Sequence, residues 1–516
     1  MVLHFSTPVQ NTKLAPLIEL RPKQLQSWLT NLQNTDPQDA AQSILTSLAA
    51  LNRQPLASDI RLNLITLHWS AAQNQIDMLQ LQLSGSMLPL SDKSEAQSRL
   101  ARDLLIEFGY GYKLVLVDDA TNNAKKPKLD IAAVIYQLLT IQQRIFSLCY
   151  EMYAPVPATI WRETHQAFEY AESLGLLEHE IMPNLNILYT YQQILLITLA
   201  DPYHLMQGEI SSVLELARGL APLGRITHLE TKTEVHPLFI LDLAADAPPS
   251  MNKQASITTK KNTSIRLFDT RQITQQLQML ISHLEAGVSP LELGLPIAAI
   301  KASYRTLLYQ LLKSWGNPLA RRFNRYIPKQ DEIELGLGVR TIHALLETDT
   351  PEPVKLTASP AFFTPAPALR SHYLAKWQIL NVGAQGQALR NKTHAPSHIK
   401  VGELISIREH NHEKWQLCII KWIKNNDTQT LEIGVQLLPP GARAVEIFNP
   451  LSAIKTIQPG ILFPANRTLN QPNLLLTPHG MYMSNVHMEL ITSTSHTIKP
   501  HTLIMQTQSF DLFEIP

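Results

Sequence analysis

Residues 376–438 constrain the fold of this chain most, because short apolar segments alternate there with tight polar turns. Runs of β-branched and aromatic residues occupy positions 376–389, 401–408, 415–423 and 431–438, and a Gly-punctuated turn divides the first of them. Clusters of Asn, Asp, His or Gly bound the runs. Short strands at this spacing predict an antiparallel β-barrel or sandwich.

The first two fifths of the chain carry helical patterns instead. Asp36 followed by Pro37 is typical of a helix N-terminus, and apolar residues then repeat at helical spacing. A longer apolar stripe covers residues 131–152, and further stripes follow as far as Gly219. Consecutive helices with short breaks predict an antiparallel helical array. The predicted fold class is therefore α+β and multidomain, with an N-terminal helical array followed by a C-terminal antiparallel β-barrel and extra β-strands.

The predicted domain boundaries follow from changes in pattern and composition. Residues 1–225 form the helical domain, and residues 226–318 contain a hairpin, a polar linker and two connecting helices. The hairpin is expected over residues 225–243 and the linker over 246–264. Residues 319–446 form the barrel, with a Pro-rich insertion near 348–369, and residues 447–516 form a β-rich C-terminal extension that either enlarges the barrel or makes a second small sheet.

Composition limits the class of protein. The chain has 516 residues, 45% hydrophobic and 17% charged, and a net charge of +1, which argues against DNA binding. Its two cysteines, Cys149 and Cys418, lie far apart in apolar segments, so neither a disulfide framework nor a cysteine metal site is expected. No signal peptide is visible, and no apolar run approaches the roughly 20 residues of a membrane span. These features predict a cytoplasmic protein.

Three short motifs accompany the predicted barrel. Arg321, Arg322 and Arg325 lie in an Arg-Arg-Phe-Asn-Arg segment ahead of it, which supplies an Arg-x-x-x-Arg pattern. Residues 381–386 read Asn-Val-Gly-Ala-Gln-Gly, and residues 434–437 read Gly-Val-Gln-Leu. Together these motifs resemble the PilZ domain, the cyclic di-GMP receptor module of bacteria, over the C-terminal third of the chain. The usual PilZ turn is Asp/Asn-x-Ser-x-x-Gly, so Gly383 stands where that family has Ser.

The resemblance implies that cyclic di-GMP is the ligand and that Arg321, Arg322, Arg325, Asn381, Gly383 and Gly386 bind it. The chemistry of these residue types suits that ligand. Arginine both stacks on a purine and donates in pairs to phosphate oxygens, which lysine does not. Asn381 offers an amide to a base edge, and glycines let the backbone come close. No further cofactor and no metal ion are expected.

The distribution of charge supports an anionic ligand near the arginine segment. Between Glu292 and Asp331 there is no acidic residue, but there are seven basic ones: Lys301, Arg305, Lys313, Arg321, Arg322, Arg325 and Lys329. Such a local excess attracts a dianion. The first three also fit the solvent-facing side of an amphipathic helix, and that is the interpretation favoured for them.

Other functional patterns are missing from the sequence. The 18 histidines show no metal-ligand spacing, and neither a phosphate-binding Gly-rich loop nor a Gly-x-Ser-x-Gly motif is present. Trp415 and Trp422, near the two ends of one predicted strand, are interpreted as packing residues rather than as a base-stacking surface. No enzyme class is supported, and the protein is expected not to be an enzyme.

Three hypotheses for function remain from the sequence. The first is a cyclic di-GMP receptor in which ligand binding at the barrel is relayed to the helical region, where a protein partner binds. The second is a divergent PilZ-like protein that has lost the nucleotide and acts as a protein–protein adaptor, which Gly383 and the insertion favour. The third is an enzyme with an unrecognised site.

Overall fold

The computed structural model describes residues 2–11, 19–121, 129–228, 239–251, 264–316, 325–328, 332–348, 374–391, 399–409, 414–426, 430–451, 456–466, 471–492 and 494–516. The chain divides into two compact units. The first contains most of residues 1–319, and the second contains residues 320–516 together with the short segments 87–89 and 301–304.

The first unit begins with the predicted helical array. Its first eight helices are α1 (Pro22–Leu32), α2 (Pro37–Asn52), α3 (Ser58–Leu83), α4 (Asp92–Thr121), α5 (Ile131–Glu151), α6 (Ile160–Ser173), α7 (Ile187–Leu199) and α8 (Glu209–Leu220). The predicted start of α2 is confirmed, because the Asp36 carboxylate accepts hydrogen bonds from the backbone N–H groups of Gln38 and Asp39. The apolar stripe over residues 131–152 is α5, which packs against α4 and α7. By length and composition alone α5 would also suffice to cross a membrane, but most of it is buried inside this unit.

No apolar stripe in the sequence predicts α3, because polar side chains occupy part of its buried face. Arg61, His68 and Gln75 are all buried on this helix. The Arg61 guanidinium donates to the carbonyl of Leu51 at 3.2 Å and to that of Gln54 at 2.6 Å, at the end of α2. A buried cation is tolerated there because the last carbonyls of a helix lack partners and carry partial negative charge. The apolar periodicity of α3 is interrupted by polar side chains that form hydrogen bonds with α2 and with the residues just after it.

A small antiparallel sheet and two more helices complete the first unit. The strands are β1 (Arg225–His228), β2 (Phe239–Asp242), β3 (Ser250–Met251) and β4 (Ile265–Asp269), and the helices are α9 (Arg271–Glu285) and α10 (Ala302–Gly316). The strand order is β1-β4-β2-β3. The hairpin expected over residues 225–243 is therefore wrong, because β1 and β2 both pair with β4 and not with each other. The alternating pattern predicted strands but not their order. β4 is more buried than β1 and lies between β1 and β2 in the sheet.

Part of the expected polar linker is anchored rather than free. Asp246 accepts hydrogen bonds from the backbone N–H groups of Thr159 at 2.7 Å and Arg162 at 3.1 Å, so it caps the start of α6. Residues 252–263 of the linker lie outside the described residues.

The second unit begins with a closed six-stranded antiparallel barrel, which confirms the predicted fold class. Its strands are β5 (Glu332–Leu337), β6 (Leu374–Gly383), β7 (Gly386–Asn391), β8 (Leu404–Glu409), β9 (Gln416–Asn425) and β10 (Leu431–Leu437), and helix α11 (Val339–Thr348) follows β5. The order around the barrel is β10-β7-β6-β5-β8-β9. Most of the Pro-rich insertion, residues 349–369, lies outside the described residues.

The C-terminal strands form a second sheet and do not enlarge the barrel. They are β11 (Arg443–Phe448), β12 (Gln458–Phe463), β13 (Asn473–Pro478), β14 (Met488–Ile491), β15 (Ser495–Ile498), β16 (Leu503–Gln506) and β17 (Phe510–Ile515), in the order β15-β14-β11-β12-β13-β17-β16. One face, with Leu474 and Leu476, packs against α11 and the outer side of β8 and β9. The other face, with Leu475 and Phe513, forms a separate core. Burial on both faces explains why β13 is a continuous apolar run.

A buried histidine gives the first unit a predictable response to acid. His165 is fully buried, with Nδ1 at 2.7 Å from the Tyr191 hydroxyl and Nε2 at 3.0 Å from the Ala247 carbonyl. Burial lowers the pKa of His165 to about 4. In the unfolded chain the imidazole takes up its proton near pH 6.5, so acidification favours the unfolded state. We expect His165 to remove about 2 kcal/mol from the free energy of unfolding between pH 7.5 and 5.

Urea denaturation across this pH range measures the effect. His165→Gln should lose this component of the pH dependence, while His228→Gln, at an exposed histidine, should keep it. An unchanged pH profile in His165→Gln would show that folding does not lower the pKa of His165.

Candidate functional site

The Asn-x-Gly-x-x-Gly motif lies on one hairpin of the barrel. Asn381 and Gly383 lie at the end of β6, and Ala384 and Gln385 form the two-residue turn that follows. Gly386 begins β7 and pairs with Gly383. The predicted strand, turn and strand are therefore present at these residues. A model Cβ on Gly386 would lie 2.0 Å from the Val435 carbonyl oxygen of β10. Barrel closure by itself therefore requires glycine at position 386.

A β-bulge sets the orientation of Asn381. The pairing of β6 with β7 shifts between Ile379, which faces Leu389, and Asn381, which faces Ala388. The extra residue, Leu380, reverses the inward and outward alternation beyond it, so Asn381 lies on the outer face of the barrel. Its Oδ1 is inaccessible to solvent and has no hydrogen-bond partner within the part of the chain that the structure describes. An acceptor in that condition costs free energy unless a donor is supplied.

The end of the arginine segment lies against this hairpin. Tyr326 and Val382 exchange two backbone hydrogen bonds, of 3.0 Å from Tyr326 N and 2.9 Å from Val382 N. In this antiparallel register Arg325 is the neighbour across from Gly383, on the same outer face as Asn381. Arg325 is exposed, and the absence of a side chain at Gly383 leaves space beside it. Two motifs that are far apart in sequence are thus adjacent.

Four of the six predicted site residues lie within the described part of the chain. Arg321 and Arg322 lie outside the described residues. Arg325, Asn381, Gly383 and Gly386 all lie at the β6–β7 hairpin or beside it.

A polar row that no sequence motif predicts borders the hairpin on the outer face. Neighbouring strands place Gln378, Arg390, Glu432 and Lys424 side by side. Arg390 donates to the Glu432 carboxylate from Nε at 3.1 Å and from Nη2 at 2.6 Å, so the acidic charge beside the hairpin is neutralised. In β10, Glu432, Gly434 and Gln436 alternate with apolar residues, which indicates an outer face, but β7 shows no such alternation and strand pairing was needed to join Gln378 and Arg390 to Glu432.

The two tryptophans of β9 and its approach have different surroundings. Trp415 is buried, and the Arg408 guanidinium lies 4.4 Å from its ring centroid, as expected for a packing residue. Trp422 is half-buried on the outer face, next to Gly434. Among the described residues no group of three or more His, Cys, Asp or Glu side chains is close enough to hold a metal ion.

Three family models match the chain in succession. The first, described as the N-terminal domain of the cyclic-di-GMP receptor FimW, matches residues 23–232. The second, described as the middle PilZ domain of that receptor, matches residues 238–351 and 364–444. The third, described as the FimW C-terminal beta-barrel domain, matches residues 445–515.

One relative matches over nearly the whole chain. It is the "Cyclic-di-GMP receptor FimW" of Pseudomonas aeruginosa, which is 22% identical over 546 residues, covering 92% of this chain and 86% of the relative. No solved structure matches the chain.

These matches correct the extent of the resemblance. The PilZ likeness was expected only in the C-terminal third, but the match to the middle domain begins at residue 238 and the family as a whole extends over the helical region. The motifs do not predict this larger extent, because the N-terminal part of the middle-domain match forms helices and a small sheet and contains no short PilZ motif. The middle match encloses the arginine segment and the β6–β7 hairpin, and the residues it leaves out, 352–363, fall inside the Pro-rich insertion.

Proposed function

Because this chain belongs to the family of the cyclic-di-GMP receptor FimW, we propose that it is a bacterial receptor that binds cyclic di-GMP on the outer face of its barrel. The binding residues are Arg321, Arg322, Arg325, Asn381 and Gly383, with Gly386 holding the hairpin closed. The observation that carries the proposal is the backbone pairing of Tyr326 with Val382, which brings Arg325 across from Gly383 on the outer face that also carries Asn381.

The ligand's chemistry matches the groups at this hairpin. Cyclic di-GMP presents two phosphates and two guanines, and a planar guanidinium pairs with the first and stacks on the second. The guanine edge carries N–H donors, which suit the Oδ1 of Asn381, an acceptor without a partner among the residues that the structure describes. The family's serine would add one hydroxyl hydrogen bond, worth about 0.5–1.5 kcal/mol, so Gly383 weakens binding without abolishing it.

The helical region is the proposed output of the receptor. Ligand binding at the barrel is relayed to it, and a protein partner binds there in the cytoplasm. The helical array supports this role because it has its own buried core and is matched as a separate family domain. No catalytic step is part of the proposal.

Calorimetric titration of the purified full chain with cyclic di-GMP tests the proposal. Saturable binding at micromolar ligand or below is expected, and GMP at the same concentration should bind far more weakly because it offers one base and one phosphate. No binding of cyclic di-GMP at micromolar concentration would reject the receptor function and favour the adaptor hypothesis, to which Gly383 points.

Asn381→Ala is expected to weaken cyclic di-GMP binding about two- to tenfold while leaving the fold intact. The substitution removes one acceptor to the base, worth about 0.5–1.5 kcal/mol, and in the free protein it deletes an acceptor that no described residue pairs with. Calorimetry and the melting temperature together measure the two effects.

Asn391→Ala is the matched control in the same hairpin. Its Oδ1 accepts a hydrogen bond from Leu431 N at 2.7 Å, so this substitution should lower the melting temperature. Equal loss of affinity in both variants at equal loss of stability would mean that Asn381 acts on the barrel and not on the ligand.

A further inference from the structure

Residues 2–11 form an extended arm on the surface of the helical unit. The arm belongs to no helix or sheet, yet Leu3 and Phe5 are each only 9% exposed. Val2 and Val9, by contrast, are 73% and 85% exposed. Exposure alternates from residue 2 to residue 5, as it does in an extended peptide that turns one side toward a protein surface.

Side chains of α6 accept the backbone N–H groups of the arm. Gln166 Oε1 accepts a hydrogen bond from His4 N at 3.0 Å. Glu163 Oε1 accepts one from Ser6 N at 2.8 Å. Residues two apart in an extended chain point their N–H groups the same way, and residues three apart in a helix lie on one face, so the two spacings match.

Glu163 makes this contact from a buried position. Its side chain is 1% exposed, and its other oxygen, Oε2, lies 2.9 Å from Lys113 Nζ of α4. The lysine balances the charge, and the arm satisfies Oε1. A buried acceptor without a donor costs free energy, so the surface under the arm requires an occupant with a free backbone N–H. The N–H groups inside a helix already pair with their own carbonyls, so an extended segment meets this requirement and a helix does not.

The arm is separate from the family domain on which it lies. The match to the N-terminal FimW domain covers residues 23–232, which include α4 and α6 but not the arm. Leu3 and Phe5 supply the buried apolar contacts of the arm. A short segment attached in this way opens locally at a much smaller cost in free energy than the core helices do.

We propose that the surface of α6 under residues 3–6, here named the arm site, is a peptide-binding site of the helical unit, and that the arm occupies it in place of an extended segment of the protein partner. This inference rests on the part of the proposed function that assigns partner binding to the helical region. The arm indicates the chemistry of the partner segment, which has two apolar side chains separated by one residue, as at Leu3 and Phe5. The positions of His4 and Ser6 exclude proline, because proline has no N–H to donate.

Fluorescence anisotropy with a labelled peptide tests the arm site directly. The peptide has the sequence of residues 2–10, and the protein is the chain from which residues 2–11 are deleted. This shortened chain is expected to bind the peptide saturably. The intact chain should bind it at least about tenfold more weakly, because the attached arm competes at an effective concentration on the order of millimolar.

Peptide variants test the apolar contacts. Leu3→Ser/Phe5→Ser in the peptide should abolish binding to the shortened chain, because it removes both buried side chains. Val2→Ser/Val9→Ser is the matched control at two exposed positions of the same segment, and it should leave the affinity unchanged.

Backbone methylation tests the hydrogen bond to the buried carboxylate. N-methylation of Ser6 in the peptide removes only the N–H that Glu163 accepts, and it should weaken binding about 10- to 150-fold because the acceptor is charged. N-methylation at the exposed Gln10 is the control and should have little effect.

The full-length chain provides a test that needs no deletion. Leu3→Ser/Phe5→Ser in the full chain releases the arm, so this variant should bind the unmodified peptide as the shortened chain does, with the circular dichroism of its helices retained. Val2→Ser/Val9→Ser in the full chain should exclude the peptide as the wild type does. In the wild type, hydrogen exchange at Ser6 N–H should be much faster than at the core amides of α5.

Three results would overturn the inference. They are a folded shortened chain that does not bind the peptide, equal binding of the Leu3→Ser/Phe5→Ser peptide, and exchange at Ser6 N–H as slow as in α5. None of these measurements involves the nucleotide, so each of these results leaves the cyclic di-GMP receptor in place. A failed nucleotide titration would reject the receptor and leave the arm site in place.

Discussion

Replacing Arg321 and Arg325 together with alanine is expected to lower the affinity for cyclic di-GMP by two to four decades. Each guanidinium combines phosphate pairing with stacking on a base, and stacking is worth about 1–3 kcal/mol per base. A combined loss of roughly 3–5 kcal/mol follows. Arg325→Ala alone should account for a substantial part of it, because Arg325 is adjacent to Gly383 on the outer face. Calorimetry measures the change, with melting temperatures as the test of folding.

Lysine variants separate charge from geometry. Arg321→Lys/Arg325→Lys retains both positive charges but loses the planar fork, so it should recover little of the affinity. Arg443→Ala, at an exposed arginine of the C-terminal sheet, changes the net charge without touching the hairpin and should bind normally. Tight binding that survives the double alanine change would place the ligand elsewhere. Full recovery by lysine would reduce the role of these residues to long-range attraction.

Lys113→Ala is expected to lower the free energy of unfolding of the helical unit by about 3–5 kcal/mol. Lys113 Nζ lies 2.9 Å from the Glu163 carboxylate, with only 4% and 1% of the two side chains exposed. The other oxygen of Glu163 accepts a hydrogen bond from Ser6 N at 2.8 Å. Removal of the lysine leaves a buried carboxylate without its cation, which is the costly change. Urea denaturation monitored by circular dichroism measures it.

The exposed pair between Arg99 and Glu95 is the matched control. Its atoms are 2.8 Å apart, but 61% and 26% of the side chains are exposed, so Arg99→Ala should cost at most about 1 kcal/mol. Lys113→Met/Glu163→Leu should recover much of the lost stability, because both buried charges are removed together. A Lys113→Ala variant as stable as Arg99→Ala would show that water reaches Glu163 in the folded protein.

Much of the architecture could be read from the sequence because the signals are local. Asp36 before Pro37, the apolar stripe of α5 and the alternating segments of β8, β9 and β10 each depend on residues a few positions apart. The order of helices and strands along the chain follows from these patterns. The arginine segment and the Asn381 hairpin could likewise be identified, since each is a short motif whose residue types suit an anionic, purine-bearing ligand.

Local patterns failed where a residue's partner is distant. The stripe of α3 was obscured because Arg61 satisfies carbonyls at the end of α2, a contact that periodicity cannot contain. The hairpin expected between β1 and β2 was wrong because β4 lies between them in the sheet. An alternating pattern predicts that a segment is a strand but does not indicate which strand it pairs with. Both predictions failed for the same reason: these hydrogen-bond partners are far apart in sequence and come together only in the folded chain.

In the candidate site too, local sequence and tertiary structure determined different things. The sequence by itself determined which residue types are available: arginines ahead of the barrel, an amide in a turn, and glycines around it. The tertiary structure alone decided their arrangement, because the bulge at Leu380 turns Asn381 outward and the pairing of Tyr326 with Val382 brings Arg325 across from Gly383. A shift of one residue in strand register would move each of these side chains to the opposite face, and register is fixed by the packing of all the strands together.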